Sequence, residues 1–147
     1  MFKSIVVGTD GSETADQAVK HAIELAQPLG ATLHIVTGFQ AVTPEAVARE
    51  ADKMPEDMQW TVNPRDEIDA MLARAGETAT AQGVEIETYA RQGDPADALL
   101  DVAEERNADL IVVGNKGMTG AKRFLLGSVP NKVSHHAPCS VLIVRTT

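Results

Sequence analysis

Cysteine, aromatic residues and long apolar stretches are all scarce in this sequence. Its 147 residues include one cysteine, one tryptophan, one tyrosine and three phenylalanines. A single cysteine excludes an intramolecular disulfide framework and suits a reducing compartment. So few aromatic rings leave little to stack on a flavin, and a flavin-binding electron carrier therefore has little support.

Sequence features of membrane insertion or secretion are also missing. No segment approaches the ~18 consecutive apolar residues of a membrane span. The N-terminal residues carry one positive charge and a short apolar run, whereas a secretory signal needs a longer run and a cleavage site. We therefore expect a cytoplasmic protein with no membrane partner, folded as a single domain over residues 1–147.

Acidic residues are absent from the C-terminal part of the chain. The net charge is −8, which argues against non-specific binding to nucleic acid. Residues 1–109 carry 8 basic and 21 acidic side chains, a balance of −13, whereas residues 110–147 carry five basic and no acidic ones. The five are Lys116, Lys122, Arg123, Lys132 and Arg145. They are either scattered over solvated faces or part of a local anion site, and we favour the anion site.

Apolar strand patterns alternate with helical patterns along the chain. Strands are predicted at residues 5–7, 31–36, 84–90, 110–113 and 141–144. Helices are predicted to begin after Ser12, at Asn63-Pro64, at Gly93-Asp94-Pro95 and near Ser128. This alternation predicts right-handed βαβ units and a doubly wound α/β domain, with a parallel sheet covered on both faces. Residues 38–64 are less regular and can hold a short helix, a mobile loop, or both.

Two strand ends are chemically unusual. The first strand is followed by Gly8-Thr9-Asp10-Gly11-Ser12, and the fourth by a glycine-rich loop from Gly114 to Ser128. Glycines let the backbone approach a ligand closely, and successive N–H groups can bind an anion. Ser128 adds a hydroxyl at a helix N-terminus, which also favours phosphate. The alternative is a flexible loop with solvated lysines, but the local absence of acids favours a phosphate site.

Two widespread nucleotide-binding motifs are absent from the sequence. No G-x-x-x-x-G-K-[ST] occurs, which excludes a Walker-A loop, and no G-x-G-x-x-G occurs, which disfavours a dinucleotide Rossmann site. The spacing of Gly114, Gly117 and Gly127, followed directly by Ser128, therefore needs another explanation.

These four residues match, at every position, the G-x2-G-x9-G-[ST] motif of universal stress proteins of the ATP-binding class. The sequence also resembles this family at residues 5–12, 93–95, 108–114 and 137–144. The resemblance covers nearly the whole chain, except about residues 40–62. It implies a Rossmann-like, five-stranded parallel sheet in the order 3-2-1-4-5, with Asp10 and Gly114 facing each other across one crevice.

The resemblance also implies roles for the residues around this crevice. Backbone near Val36 or Thr37 binds adenine, Asp10 contacts the ribose or a metal, and the glycine loop with Ser128 holds the phosphates. The alternative role of Asp10 is that of a turn residue capping the first helix, and the two roles are compatible. The candidate nucleotide-binding residues are Thr9, Asp10, Val36, Thr37, Val113, Gly114, Asn115, Gly117, Gly127, Ser128 and Val129.

The implied ligand is ATP, or ADP or AMP, with Mg²⁺ as a candidate ion at Asp10. We expect a regulatory protein that signals nucleotide occupancy to an unknown protein partner or across a dimer, with at most slow hydrolysis. The alternative is an ATP-using transferase or hydrolase with residues 38–64 as a substrate lid. An apolar last strand at the sheet edge further indicates a homodimer through residues 141–145, unless residues 38–64 cover that edge.

Three further residues with reactive or metal-binding side chains receive structural roles. Cys139 is expected to be a small buried residue rather than a nucleophile. His135 and His136 are adjacent on a predicted helix, so they point about 100° apart and cannot jointly hold one metal. They more readily favour the negative end of the helix dipole.

Overall fold

A computed structural model describes residues 2–39, 64–115 and 128–146 of the chain. Gly117 and Gly127 of the glycine motif lie outside the described residues. The same holds for three basic residues of the loop, Lys116, Lys122 and Arg123. It also holds for residues 40–63, which make up most of the segment predicted to act as a lid or to cover the sheet edge.

The described ranges form a sheet of five parallel strands. These are β1 (Ser4–Gly8), β2 (Thr32–Phe39), β3 (Ile86–Gln92), β4 (Leu110–Gly114) and β5 (Ser140–Val144). The strands lie in the order β3-β2-β1-β4-β5, and every neighbouring pair is parallel. The predicted fold class and strand order are therefore confirmed. The chain runs outward from β1 to β3 and then returns to place β4 on the other side of β1.

Four described helices connect the strands. These are α1 (Glu13–Leu29), α2 (Pro64–Ala81), α3 (Pro95–Glu105) and α4 (Ser128–His136). The predicted start of α1 is confirmed, because the Ser12 hydroxyl accepts a hydrogen bond from the Ala15 N–H at 3.2 Å. The helix ends at Gly30, whose φ of 63° is the left-handed conformation that favours glycine.

Alternate strand residues supply a separate core on each face of the sheet. One core packs against α1 and α2, and its strand residues include Ile5, Val7, Leu33, Ile35, Leu110 and Val112. The other packs against α3 and α4, and its strand residues include Val6, Val36, Ile111 and Val113. Burial on both faces explains why the central strands read as continuous apolar runs rather than alternating ones.

The second strand is longer than its sequence pattern predicts. The prediction ended at Val36, but β2 continues to Phe39, and its last residues pair with β3. A Cβ atom at Gly38 would lie 2.6 Å from Cα of Pro95, at the start of α3. Glycine at this position therefore allows the close approach of a helix and a strand, which explains a small residue in a strand interior. Gly38 and Phe39, which the prediction placed in the irregular segment, therefore belong to β2.

Candidate functional site

The crevice of this fold opens where the strand order reverses, between β1 and β4. The two strands pair in parallel, with Val7 opposite Val112, so their carboxyl ends emerge side by side. Thr9, Asp10, Val113, Gly114 and Val129 line one cavity at this edge. Five of the predicted nucleotide-binding residues are therefore brought together at the place where open α/β sheets bind ligands.

The turn after β1 is held by its own side chains. The Gly11 N–H donates to Thr9 Oγ1 at 3.1 Å, and the Ser12 N–H donates to Asp10 Oδ1 at 2.9 Å. The Thr9 N–H donates to the Val36 carbonyl of β2 at 2.9 Å. These bonds confirm that Asp10 is a turn residue at the start of α1. They also commit the N–H groups of Thr9, Gly11 and Ser12, so this turn offers a ligand mainly the carboxylate of Asp10.

Asp10 retains one carboxylate oxygen for a further contact. Oδ1 accepts from Ser12, whereas Oδ2 accepts no hydrogen bond from the described residues. The side chain is partly exposed in the crevice. Mg²⁺ is commonly bound by one or two carboxylates together with substrate phosphates, so the Asp10 carboxylate suits that ion chemically.

The end of β4 is anchored to the end of β5. The Asn115 N–H donates to the Val144 carbonyl at 2.8 Å. The Asn115 Oδ1 accepts from the Thr146 N–H at 2.8 Å and from the Thr146 hydroxyl at 3.1 Å. A ligand contact by Asn115 would therefore use its carbonyl or its Nδ2 group rather than these two committed atoms.

The glycine loop ends at the N-terminus of α4. Ser128 is the first residue of this helix and is exposed, while Val129 and Pro130 line the crevice. The first N–H groups of a helix have no partner within the helix and carry its positive dipole end. Proline has no N–H group, but in the first turn that group would have no partner within the helix, so Pro130 removes no helical hydrogen bond. The N–H groups of Ser128 and Val129 likewise have no partner within the helix and can bind an anion.

A second cavity adjoins the first on the side of β2. It is lined by Asp10, Gly11, Thr37, Gly38 and Phe39, among others. Asp10 thus lies on the wall shared by the two cavities, between the ends of β2 and β4. Of the predicted binding residues, Thr37 therefore lies on one side of Asp10, and Gly114 and Val129 lie on the other.

Gly38 is a candidate site residue that sequence analysis missed. The Val36 carbonyl points toward β1, where Thr9 donates to it, and the Phe39 carbonyl points toward the β3 side, where Gly93 donates at 2.7 Å. Backbone groups alternate between the two sides of a strand, so Gly38 directs its N–H and carbonyl into the crevice beyond β1. A glycine inside a strand was the available signal, because it often marks close approach of a ligand or another backbone.

The cations of the C-terminal region do not all face the crevice. Lys132 lies 2.9 Å from Asp94 Oδ2 and 2.8 Å from Asp97 Oδ1, and these hydrogen bonds to Asp97 and Asp94 raise the pKa of its ammonium group. The charge of Lys132 is therefore balanced by two carboxylates at the N-terminus of α3.

Cysteine and histidine side chains take the structural positions expected of them. Cys139 is partly buried beside the core of α3 and α4, and burial raises the pKa of its thiol, which disfavours the nucleophilic thiolate. His135 and His136 occupy the last turn of α4. Within residues 2–39, 64–115 and 128–146, no three His, Cys, Asp or Glu side chains are grouped to hold a metal ion, and no helix could cross a membrane.

Comparison with known proteins identifies the family. The model of the universal stress protein family matches residues 1–145. Universal stress protein Rv1636 of Mycobacterium tuberculosis (strain H37Rv) is 39% identical over 147 residues, which cover 99% of this chain and 98% of that protein. Universal stress protein YxiE of Bacillus subtilis is 37% identical over 150 residues, which cover 99% and 100%.

Solved structures agree with the sequence comparison. A crystal structure of a universal stress protein in complex with cAMP is 35% identical, with a TM-score of 0.74 over 99% of this chain and 98% of that one. The structure of Rv1636 is also 35% identical, with a TM-score of 0.60 over 99% and 97% of the two chains. The chain therefore belongs to the universal stress protein family.

Proposed function

We propose that this universal stress protein binds ATP, or ADP or AMP, in the crevice between β1 and β4 and acts as a nucleotide-dependent regulator. The observation that carries this proposal is the convergence of Asp10, Gly114 and the α4 N-terminus on one crevice. The ends of the glycine motif, Gly114 and Ser128, flank the position where phosphates would meet free N–H groups. The 35% identical universal stress protein that binds cAMP supports an adenine nucleotide as the ligand class.

Each part of the nucleotide has a proposed partner along the crevice. The adenine edge meets backbone at the end of β2, where Thr37 and Gly38 lie on the cavity wall. The ribose lies beside Asp10, and the phosphates lie against Gly114, Ser128 and the N–H of Val129. Mg²⁺ held by Asp10 would neutralise part of the phosphate charge. Asp10 is the one ionisable side chain among the described residues of the first cavity, which supports slow hydrolysis at most.

Nucleotide released from freshly purified, denatured protein tests this proposal. We expect mass spectrometry to find ATP or ADP in near one-to-one ratio with the chain. The stripped protein is then titrated with ATP, ADP, AMP and cAMP by calorimetry, with GTP as a control for the base. A chain that releases no adenine nucleotide and shows no heat with any of the four would refute the proposal.

A homodimer through β5 is proposed from the contrast between the two sheet edges. The β3 edge carries charged and polar side chains, including Glu87 and Arg91. The β5 edge is apolar over Val141–Val144, and Leu142 is 41% exposed. Natural proteins usually blunt a flat apolar edge or use it for pairing. Two copies could pair antiparallel about a two-fold axis, and nucleotide occupancy could pass to the second copy or to a regulatory protein partner.

Matched proline substitutions on the two edges test the dimer. Val144 directs its carbonyl toward β4, so the N–H group of the adjacent residue Ile143 lies on the open edge of β5. Leu33 of β2 directs its N–H group toward β3, and the parallel register then leaves the N–H group of Thr88 on the open edge of β3. Light scattering should give twice the 15.6 kDa chain mass for the wild type and for Thr88→Pro, and the monomer mass for Ile143→Pro. A wild type that stays monomeric at high concentration would exclude this interface.

A further inference from the structure

Asn115 occupies the first variable position of the glycine motif, but its bonds run to the C-terminus. Its N–H and its Oδ1 make three hydrogen bonds, all to residues 144–146. Thr146, the donor of two of them, is 7% exposed. Asn115 therefore holds the residues that follow β5 against the end of β4.

We propose that Asn115 is a positioning residue: its hydrogen bonds to Thr146 form a pin that fixes the backbone next to Gly114, on the β4 side of the nucleotide site. The inference rests on the proposed function and adds a role that the motif does not specify. Asn115 would act by fixing the backbone beside the site. Its side-chain oxygen would not contact the ligand, because that oxygen already accepts two hydrogen bonds.

The physical basis is the cost of fixing the backbone at the end of β4. Gly114 has no Cβ to restrict its backbone, so the direction in which the loop leaves β4 depends on contacts made by the next residue. Fixing Asn115 against β5 before the ligand arrives removes part of the ordering cost that phosphate binding would otherwise carry. Breaking the pin also leaves the buried N–H and hydroxyl of Thr146 without their acceptor, which favours rearrangement of the tail.

Loss of the pin should weaken the binding of the phosphates and not the binding of the base. Gly114 lies on the β4 side of Asp10, whereas the proposed adenine region lies at the end of β2. Loss of the pin should therefore weaken ATP binding and leave adenosine binding nearly unchanged. A general loss of stability would weaken both ligands alike, so the ratio of the two affinities separates a positioning role from a structural one.

Calorimetric titration with ATP and with adenosine tests the pin in four chains besides the wild type. Asn115→Ala removes the acceptor, Thr146→Val removes one donor at nearly constant shape, and the double variant removes both. Thr146→Ser keeps the hydroxyl and is the control. We expect about tenfold weaker ATP binding for Asn115→Ala, about threefold for Thr146→Val, wild-type affinity for Thr146→Ser, and adenosine within about twofold throughout.

The double variant supplies the second criterion. Two residues acting through one contact are not additive, so the double variant should resemble Asn115→Ala. A wild type that binds both ligands, with Asn115→Ala losing equal fractions of the two affinities, would overturn this inference alone. A wild type that binds neither ligand would overturn the proposed function and the inference together. Thr146→Val keeps the test decisive if Asn115→Ala does not fold.

Discussion

The turn after β1 and the two described ends of the glycine loop lie at the same crevice but are held in opposite ways. In the β1 turn, side chains of Thr9, Asp10 and Ser12 accept hydrogen bonds from nearby N–H groups of the same segment. At the β4 loop, the described ends are held from outside, Asn115 by the tail of β5 and Ser128 as the first residue of α4. The β1 turn is therefore held mainly by bonds within one short segment, whereas the end of β4 is held by a residue distant in sequence.

This difference divides the chemistry of the crevice. In the β1 turn, the N–H groups of Gly11 and Ser12 bond to side chains of the same turn, and Asp10 keeps one carboxylate oxygen without a partner among the described residues. The β4 side has no acidic residue from Leu110 onward and presents the positive end of the α4 dipole. In the proposed complex, a cation offsets the charge of Asp10 and the phosphates lie toward the β4 side. Three substitutions, two on the β4 side and one in the β1 turn, test the two sides separately.

The largest expected effect comes from a side chain on the β4 loop. Gly117→Val should abolish ATP binding while the fold survives, because a branched side chain blocks close approach of phosphate to the loop backbone. Calorimetric titration measures the affinity, and circular dichroism confirms folding. Gly83→Ala is the control, since Gly83 has a φ of 79° but lies between α2 and β3, away from the crevice. Unchanged ATP affinity in folded Gly117→Val would remove the loop from the proposed site.

The sequence predicted the features that depend on neighbouring residues. Apolar runs located the strands, and Ser12 marked the start of α1, because capping is decided within a few residues. The strand order came from the family resemblance and is confirmed. Periodicity alone left that order open, since it identifies elements and not their arrangement.

Contacts between distant residues could not be predicted in the same way. Lys132 pairs with Asp94 across 38 residues, and Asn115 with Thr146 across 31, and both pairs exist only after the sheet brings α3, α4 and β5 together. Composition therefore overstated the free positive charge near the loop. The motif likewise marked Asn115 as a ligand residue, although its bonds to β5 appear only in the fold.

The second change removes a single donor from the β4 side. Ser128→Ala should weaken ATP binding by about 10- to 100-fold, since a hydrogen bond to a charged group contributes about 1.5–3 kcal/mol. Titration of ATP gives this ratio. Ser134→Ala is the matched control on the same helix, because its hydroxyl donates to the Asn131 carbonyl away from the helix start. A lower melting temperature with unchanged affinity would show that Ser128 caps α4 and does not contact phosphate.

The smallest expected effect distinguishes the two functions of Asp10 on the β1 side. Asp10→Asn keeps the oxygen that accepts from Ser12 and replaces the other, so the turn survives and the charge is lost. With Mg²⁺ present, ATP affinity should fall by about tenfold, because the ion loses a ligand. With EDTA, affinity should stay within about twofold, since removing a negative charge beside the phosphates also relieves repulsion.

Asp10→Ala provides the comparison that makes this test specific. It removes the bond to Ser12 as well as the charge, so it should lower the melting temperature, whereas Asp10→Asn should leave it nearly unchanged. If Asp10→Asn instead loses the same fraction of affinity with Mg²⁺ and with EDTA, the carboxylate acts on a neutral part of the ligand. That part would be the ribose, which lies between the base and the phosphates. The Mg²⁺ role would then be excluded, while the binding site itself would stand.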